Sequence, residues 1–147
     1  MFATVTAPAP ASRRTPASAY RQVGVDTGVA AATPHQLVLM LLDGFDDALL
    51  QAAGAMRDGV LALKVRALDR AVRIVDEGLK ANLDLAEGGA LAARLQALYG
   101  YVSLRLLHAN LHDDAAALDE CRRLMRPLRD AWAAIGPQVH TAPGSPR

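Results

Sequence analysis

The stretch 33-TPHQLVLMLLDGFDDALLQAAGAM-56 decides the fold, because it combines a helix start signal with a long apolar face. Thr33 is a favourable N-cap residue, Pro34 suits the first helical position, and Gln36 completes a capping box. Apolar side chains then recur at the spacing of a helix that buries one side. The pattern predicts a helix over about 34–56, with Gly59 close to its end.

Further helices are predicted towards the C-terminus. The second covers about 60–83, the Gly88-Gly89 pair indicates a break and turn, and the third covers about 90–111. Long helices joined by short links pack as antiparallel neighbours. Together with a fourth helix, they predict an all-α fold: an antiparallel up-down four-helix bundle.

The fourth helix has its own start and stop signals. Asp113 and Asp114 are candidate N-caps, and the helix is expected to run to Ile135, where Gly136-Pro137 stops it. Pro127 lies inside this segment, so we expect a kink or one missing hydrogen bond.

The two ends of the chain differ from its middle. Residues 1–16 and 136–147 are rich in Pro with Ala, Ser, Thr and Gly, and are predicted to be disordered tails around one bundle domain over 17–135. Within that domain, the first residues favour a short N-terminal cap helix anchored mainly by Tyr20 and Val23. A helix this short needs docking to persist.

Composition narrows the class of protein. Hydrophobic residues make up 52% of the 147, which is enough for a packed core, whereas aromatic residues make up only 4%. A net charge of +1 gives no reason to expect a nucleic-acid partner or an anionic membrane. One cysteine, no visible secretory signal and no long apolar run favour a soluble cytoplasmic protein without membrane insertion.

The second and third helices carry more apolar surface than one core stripe requires. In the second, a stripe of Leu61, Val65, Leu68, Val72, Val75, Leu79 and Leu83 is accompanied by a row of Leu63, Ala67, Ala71, Ile74, Gly78 and Ala81. In the third, a stripe of Leu91, Leu95, Leu98, Val102, Leu106 and Ala109 is accompanied by a row of Ala93, Ala97, Gly100, Leu104, Leu107 and Leu111.

Two interpretations of these rows are open. A helix between two neighbours can bury a wide arc, which would place the second rows in the core. Alternatively, exposed rows would form grooves for an amphipathic partner helix. The coincidence on two adjacent helices favours the second interpretation. In the first helix, Leu39 and Met40 also point away from the main apolar face.

A search for catalytic or metal-binding chemistry yields weak signals. His108 and His112 have helical i, i+4 spacing but lack the glutamate or cysteine that usually accompanies a metal site. Ser103 lies mid-helix without a nucleophile motif, and Cys121 falls on an apolar stripe. The sequence therefore predicts no enzyme, no metal and no cofactor. A small helical enzyme or metal bundle remains an alternative for metal analysis to test.

Several short strings stand in a distinctive order and spacing: AYRQV at 19–23, TPHQLVLML at 33–41, DG at 43–44, IVDEGLKANLD at 74–84, GG at 88–89, LYGY at 98–101 and ANL at 109–111, together with Asp114 and Trp132. Through these strings, the sequence over 19–135 resembles the FliS family of flagellar secretion chaperones. Two positions depart from the family pattern. Leu42 replaces an aromatic residue before Asp-Gly, and Ala17 replaces a bulky apolar residue before the cap tyrosine.

The resemblance implies a cytoplasmic chaperone that binds the disordered C-terminal segment of flagellin, prevents premature polymerisation and delivers it to the gate of the flagellar type III export apparatus. It also allows a regulatory partner such as an anti-sigma factor. An adaptor for another export substrate or an anti-sigma factor is the alternative. The partner-binding residues predicted from the apolar rows and the resemblance are Tyr20, Val23, Leu39, Met40, Leu63, Ala67, Ile74, Gly78, Ala81, Asn82, Ala97, Gly100, Leu104 and Leu107.

Overall fold

The computed structural model describes residues 31–136, and within that range the regular structure is entirely helical. The elements are α1 (Pro34–Asp58), α2 (Leu61–Arg73), a π-helical turn (Ile74–Leu79), a 3₁₀ turn (Lys80–Asn82), α3 (Leu85–His112) and α4 (Ala115–Ile135). None of the helices in this part of the chain is long and apolar enough to cross a membrane. The cap helix predicted around Tyr20 and Val23, the N-terminal tail and residues 137–147 lie outside the described range.

The start of α1 is built as its sequence predicts. The Thr33 hydroxyl accepts a hydrogen bond from the Gln36 backbone N–H at 3.1 Å, and the Gln36 side chain accepts one from the Thr33 N–H at 2.8 Å. These reciprocal bonds satisfy donors that the first helical turn leaves open. Gly59 caps the C-terminal end of the helix with the left-handed φ of 70° that glycine adopts without steric cost.

Contacts between the helices establish an antiparallel bundle. Along α1, Asp43 and Asp46 pair with Arg129 and Arg122, so residue numbers rise on α1 as they fall on α4. Along α2, Lys64 contacts Asp113, while the following turn contacts Ser103 through Asp76. The four-helix bundle is thus confirmed, with α1 packed against α2 and α4, and α3 packed against α4 and α2.

The core forms around the broad apolar face of α1. Leu41, Phe45, Ala48, Leu49 and Ala52 have essentially no exposed surface. The other helices meet them with buried residues that include Leu68, Ala71, Ile74, Val75, Val102, Leu106, Leu118, Cys121 and Met125. Leu37 and Leu42 extend the same cluster. Burial of this apolar surface is the main favourable contribution to folding.

The predicted second helix is not regular to its end. After Arg73 the backbone widens into the π-helical turn, where a Cβ added to Gly78 would lie 2.8 Å from Leu41 Cδ1. Glycine therefore lets the turn approach α1 closely. Asn82 donates a hydrogen bond to the Gly78 carbonyl at 2.8 Å, which satisfies an acceptor near the end of the element.

The start of α3 differs from the prediction, whereas one of the two predicted N-caps of α4 is formed. Asp84 caps α3 by accepting from the Glu87 N–H at 2.9 Å, so the helix begins before the glycine pair, and the break is confined to Gly89 with φ 55° and ψ −132°. Asp113 ends α3 with a left-handed φ of 49°, which leaves Asp114 as the N-cap of α4. Pro127 lies inside α4, which continues to Ile135.

Candidate partner-binding groove

An open groove of about 430 Å³ runs between α2 and α3. We call it the α2–α3 groove; its lining residues are Val65, Leu68, Asp69, Val72, Asp76, Ser103, Leu104, Leu106, Leu107 and Asn110. Leu68 and Leu106 are buried and belong to the core cluster, so the floor is the outer surface of that core. The walls are the side chains of α2 and α3 that project above the core without packing into it.

Large apolar side chains on these walls face solvent. Leu104 is 67% exposed, Leu107 is 53% exposed and Val65 is 46% exposed. Leu61 and Leu111, at 66% and 69%, extend the apolar surface beyond the groove on the same helices. Clustered exposed leucines are unfavourable in water and are typical of a surface that a partner covers.

Polar contacts fix the groove at two points. Ser103 donates a hydrogen bond to Asp76 at 2.8 Å, which joins the π-helical turn to α3. Lys64, whose side chain is buried, donates to the Asn110 carbonyl at 3.1 Å and to the Asp113 carboxylate at 2.7 Å. These bonds hold α2 and α3 at a set separation, so the groove is formed before any partner arrives.

The second apolar row of α3 lies on the surface, as one interpretation of the sequence predicted. Ala97, Leu104 and Leu107 are exposed, and a Cβ added to Gly100 would meet open space. Leu104 and Leu107 line the groove, and Ala97 and Gly100 continue the row towards the start of α3. Leu91, expected in the core, is instead exposed beside the Gly89 break.

The corresponding expectation for α2 is wrong. Ala67, Ile74 and Gly78 are buried, as is Ala71, so they do not form an exposed row. The buried face of α2 lies between the two predicted rows, because α2 and its π-helical turn pack chiefly against α1. As a consequence, Leu61 and Val65 of the predicted core stripe are exposed.

The remaining predicted residues within 31–136 lie outside the groove. Leu63 is 37% exposed but does not line it, and Ala81 and Asn82 are exposed in the 3₁₀ turn. Leu39 and Met40 are partly buried and line a separate depression with Gln36, at the N-terminal end of α1. Of the predicted residues that the structure describes, Leu104 and Leu107 are the ones that line the groove.

The other residues that could act in catalysis or metal binding have structural roles instead. Burial raises the pKa of the Cys121 thiol to about 12, which keeps it protonated and unreactive. The His108 and His112 rings lie 4.6 Å apart, and within residues 31–136 no three potential metal ligands come together. The Asp43 and Asp46 carboxylates pair with arginines of α4.

The polar residues of the groove are not marked by the sequence patterns described above. Asp69 and Asp76 look like ordinary helix charges, which are usually solvated. Their spacing was a usable signal, since Val65, Asp69, Val72 and Asp76 recur every three or four residues and so share one face.

The N-cap of α4 predicts how stability depends on pH. The hydrogen bond from the Ala117 N–H, followed by that from His108, lowers the pKa of Asp114. Because the folded-state pKa is below the unfolded value, this stabilisation is present above the unfolded pKa and is lost as pH falls through the folded pKa. We expect the melting temperature to decrease as the pH is lowered from about 5 to 3. The decrease should be smaller in Asp114→Asn, since asparagine caps the helix without titrating. Circular dichroism melts test this; parallel slopes for the two proteins would contradict it.

Comparisons with known proteins agree on one family. The model of the family described as flagellar protein FliS matches residues 16–139. The flagellar secretion chaperone FliS of Salmonella typhimurium is 44% identical over 121 residues, covering 82% of this chain and 90% of that protein. The proteins of the same name from Escherichia coli and Bacillus subtilis are 42% and 34% identical, covering 78% and 80% of this chain and 84% and 83% of their own lengths.

Proposed function

The chain belongs to the family of flagellar protein FliS, and from that membership we propose that it is a cytoplasmic export chaperone for flagellin. In this proposal the C-terminal segment of flagellin lies in the α2–α3 groove, which prevents premature polymerisation. The complex then delivers flagellin to the gate protein of the flagellar type III export apparatus.

The observation that carries this proposal is the exposure of Leu104 and Leu107 above an already complete core. A bundle whose core is already buried gains no stability from two further exposed leucines on α3. An amphipathic helix placed there would cover them with its own apolar stripe. The client must order as it binds, so part of the contact energy is lost to its conformational entropy, which keeps the complex reversible.

Release and loading also involve the N-terminal segment in this proposal. Tyr20 and Val23 are the main apolar residues of a short stretch that can compete with the client for apolar surface. Few anchors make such a contact weak and therefore displaceable. Binding of flagellin would then replace a contact made by the chain's own N-terminal segment with a contact made by flagellin.

Titration of the full chain with the C-terminal segment of the flagellin from the same bacterium tests the function. We expect saturable binding in a calorimeter and a gain of far-ultraviolet helical signal in the mixture, because a disordered segment becomes helical. Flagellin that lacks this segment is the matched control and should not bind. Equal binding of truncated and complete flagellin would instead support an adaptor that recognises a different region or another export substrate.

A further inference from the structure

Two carboxylates lie on the α2 side of the groove, together with the apolar side chains. Asp69 is exposed, whereas Asp76 is half-buried and accepts the hydrogen bond from Ser103 at 2.8 Å. They are seven residues apart, which corresponds to about 10 Å along a helix. The lining of the groove therefore contains two negative charges and, among the described residues, no lysine or arginine.

These carboxylates differ from two on α1, which are paired with arginines of α4. On the face between α1 and α4, Asp46 lies 2.7 Å from Arg122 and Asp43 lies 2.8 Å from Arg129. Within residues 31–136, no cation lies within ion-pairing distance of Asp69 or Asp76, and the neighbouring Arg73 pairs with Glu77. The groove is thus a site of uncompensated negative charge on a chain whose net charge is only +1.

Resting on the proposed function, we propose that the groove selects a basic amphipathic helix: an apolar stripe that packs on Leu104 and Leu107, flanked by lysine or arginine side chains that pair with Asp69 and Asp76. Long basic side chains suit this surface, because their aliphatic stems cover apolar groups while their charges reach the carboxylates. The apolar contacts supply most of the affinity, and the charges discriminate between clients and speed their encounter.

A pair of near-isosteric substitutions isolates the carboxylates. Asp69→Asn with Asp76→Asn removes both charges, and the amide that replaces the Asp76 carboxylate keeps an oxygen that can accept from Ser103. Asp47→Asn with Asp130→Asn is the matched control, since it changes the net charge equally on α1 and α4, away from the groove. Both double variants keep the apolar walls and should melt close to the wild type.

The measurement is the Kd for the flagellin C-terminal segment between about 0.05 and 0.5 M salt, because partly exposed charge pairs are screened over this range. At low salt we expect the Asp69/Asp76 variant to bind about two- to tenfold more weakly than the wild type, with a flatter salt dependence, and the control to match the wild type. A segment with every lysine and arginine changed to glutamine should lose a similar factor against the wild type and little against the variant.

The outcomes separate this proposal from the function on which it rests. Tight binding with equal affinity and equal salt dependence in wild type and variant would retain the chaperone function and overturn the basic-helix proposal. No binding by any of the proteins would overturn both. A wild-type mass that rises to a dimer with concentration, and stays monomeric in Leu107→Gln, would assign the groove to a second copy of the chain and overturn the proposal.

Discussion

Changing Leu104 and Leu107 together to glutamine should weaken binding of the flagellin C-terminal segment by roughly thirtyfold to a thousandfold. Each leucine is more than half exposed in the free protein, so a docked helix can remove much apolar surface from water. Loss of that burial at two positions corresponds to about 2–4 kcal/mol. Glutamine retains helix propensity and adds no charge to a groove that already holds two carboxylates.

Stability separates a lost contact from a damaged fold. Because both leucines are exposed, the double variant should melt within a few degrees of the wild type. Leu50→Gln is the matched control, since Leu50 is 48% exposed on α1 and does not line the groove. Isothermal titration of all three proteins with the same segment provides the comparison. Wild-type affinity in the double variant would remove the α2–α3 groove from the proposed function, and a strongly lowered melting temperature would show that these leucines support the core.

The sequence predicted the bundle well because its helix signals are local. The capping box at Thr33, the glycine stop at Gly59 and the cap at Asp114 act within a few residues of themselves, and all three are formed. The apolar row through Leu104 and Leu107 was also recognisable, since α3 has a second row that its own core stripe does not need.

The orientation of α2 was not predictable from the same information. Two apolar rows on one helix satisfy the same periodicity, and the choice between them is made by packing against α1. The close approach of Gly78 to Leu41 and the π-helical turn from Ile74 together fix that choice, and neither leaves a local sequence signal. Lys64 is a similar case, because its burial depends on Asp113 and Asn110 from a distant helix.

Removing the centre of the core should have the largest effect on stability, and Phe45→Ala is the substitution that tests it. Phe45 is 1% exposed on α1 and lines a depression of about 320 Å³ between α1 and α4, beside Leu42 and Met125. Truncation would join the vacated space to this depression and admit water to the core. Phenylalanine-to-alanine changes in cores cost about 3–5 kcal/mol, a large share of the roughly 5–15 kcal/mol typical of a domain.

We therefore expect the thermal midpoint of Phe45→Ala to fall by about 10–20 °C and its urea midpoint to fall in proportion, both followed by circular dichroism. Phe45→Leu should recover more than half of the loss, because leucine refills most of the volume. This pattern also separates core from groove: at temperatures where Phe45→Ala remains folded, it should still bind the flagellin segment, unlike the Leu104/Leu107 variant. A midpoint within a few degrees of the wild type would mean that the α1–α4 depression closes around the missing ring, so the core would be more adaptable than its close packing indicates.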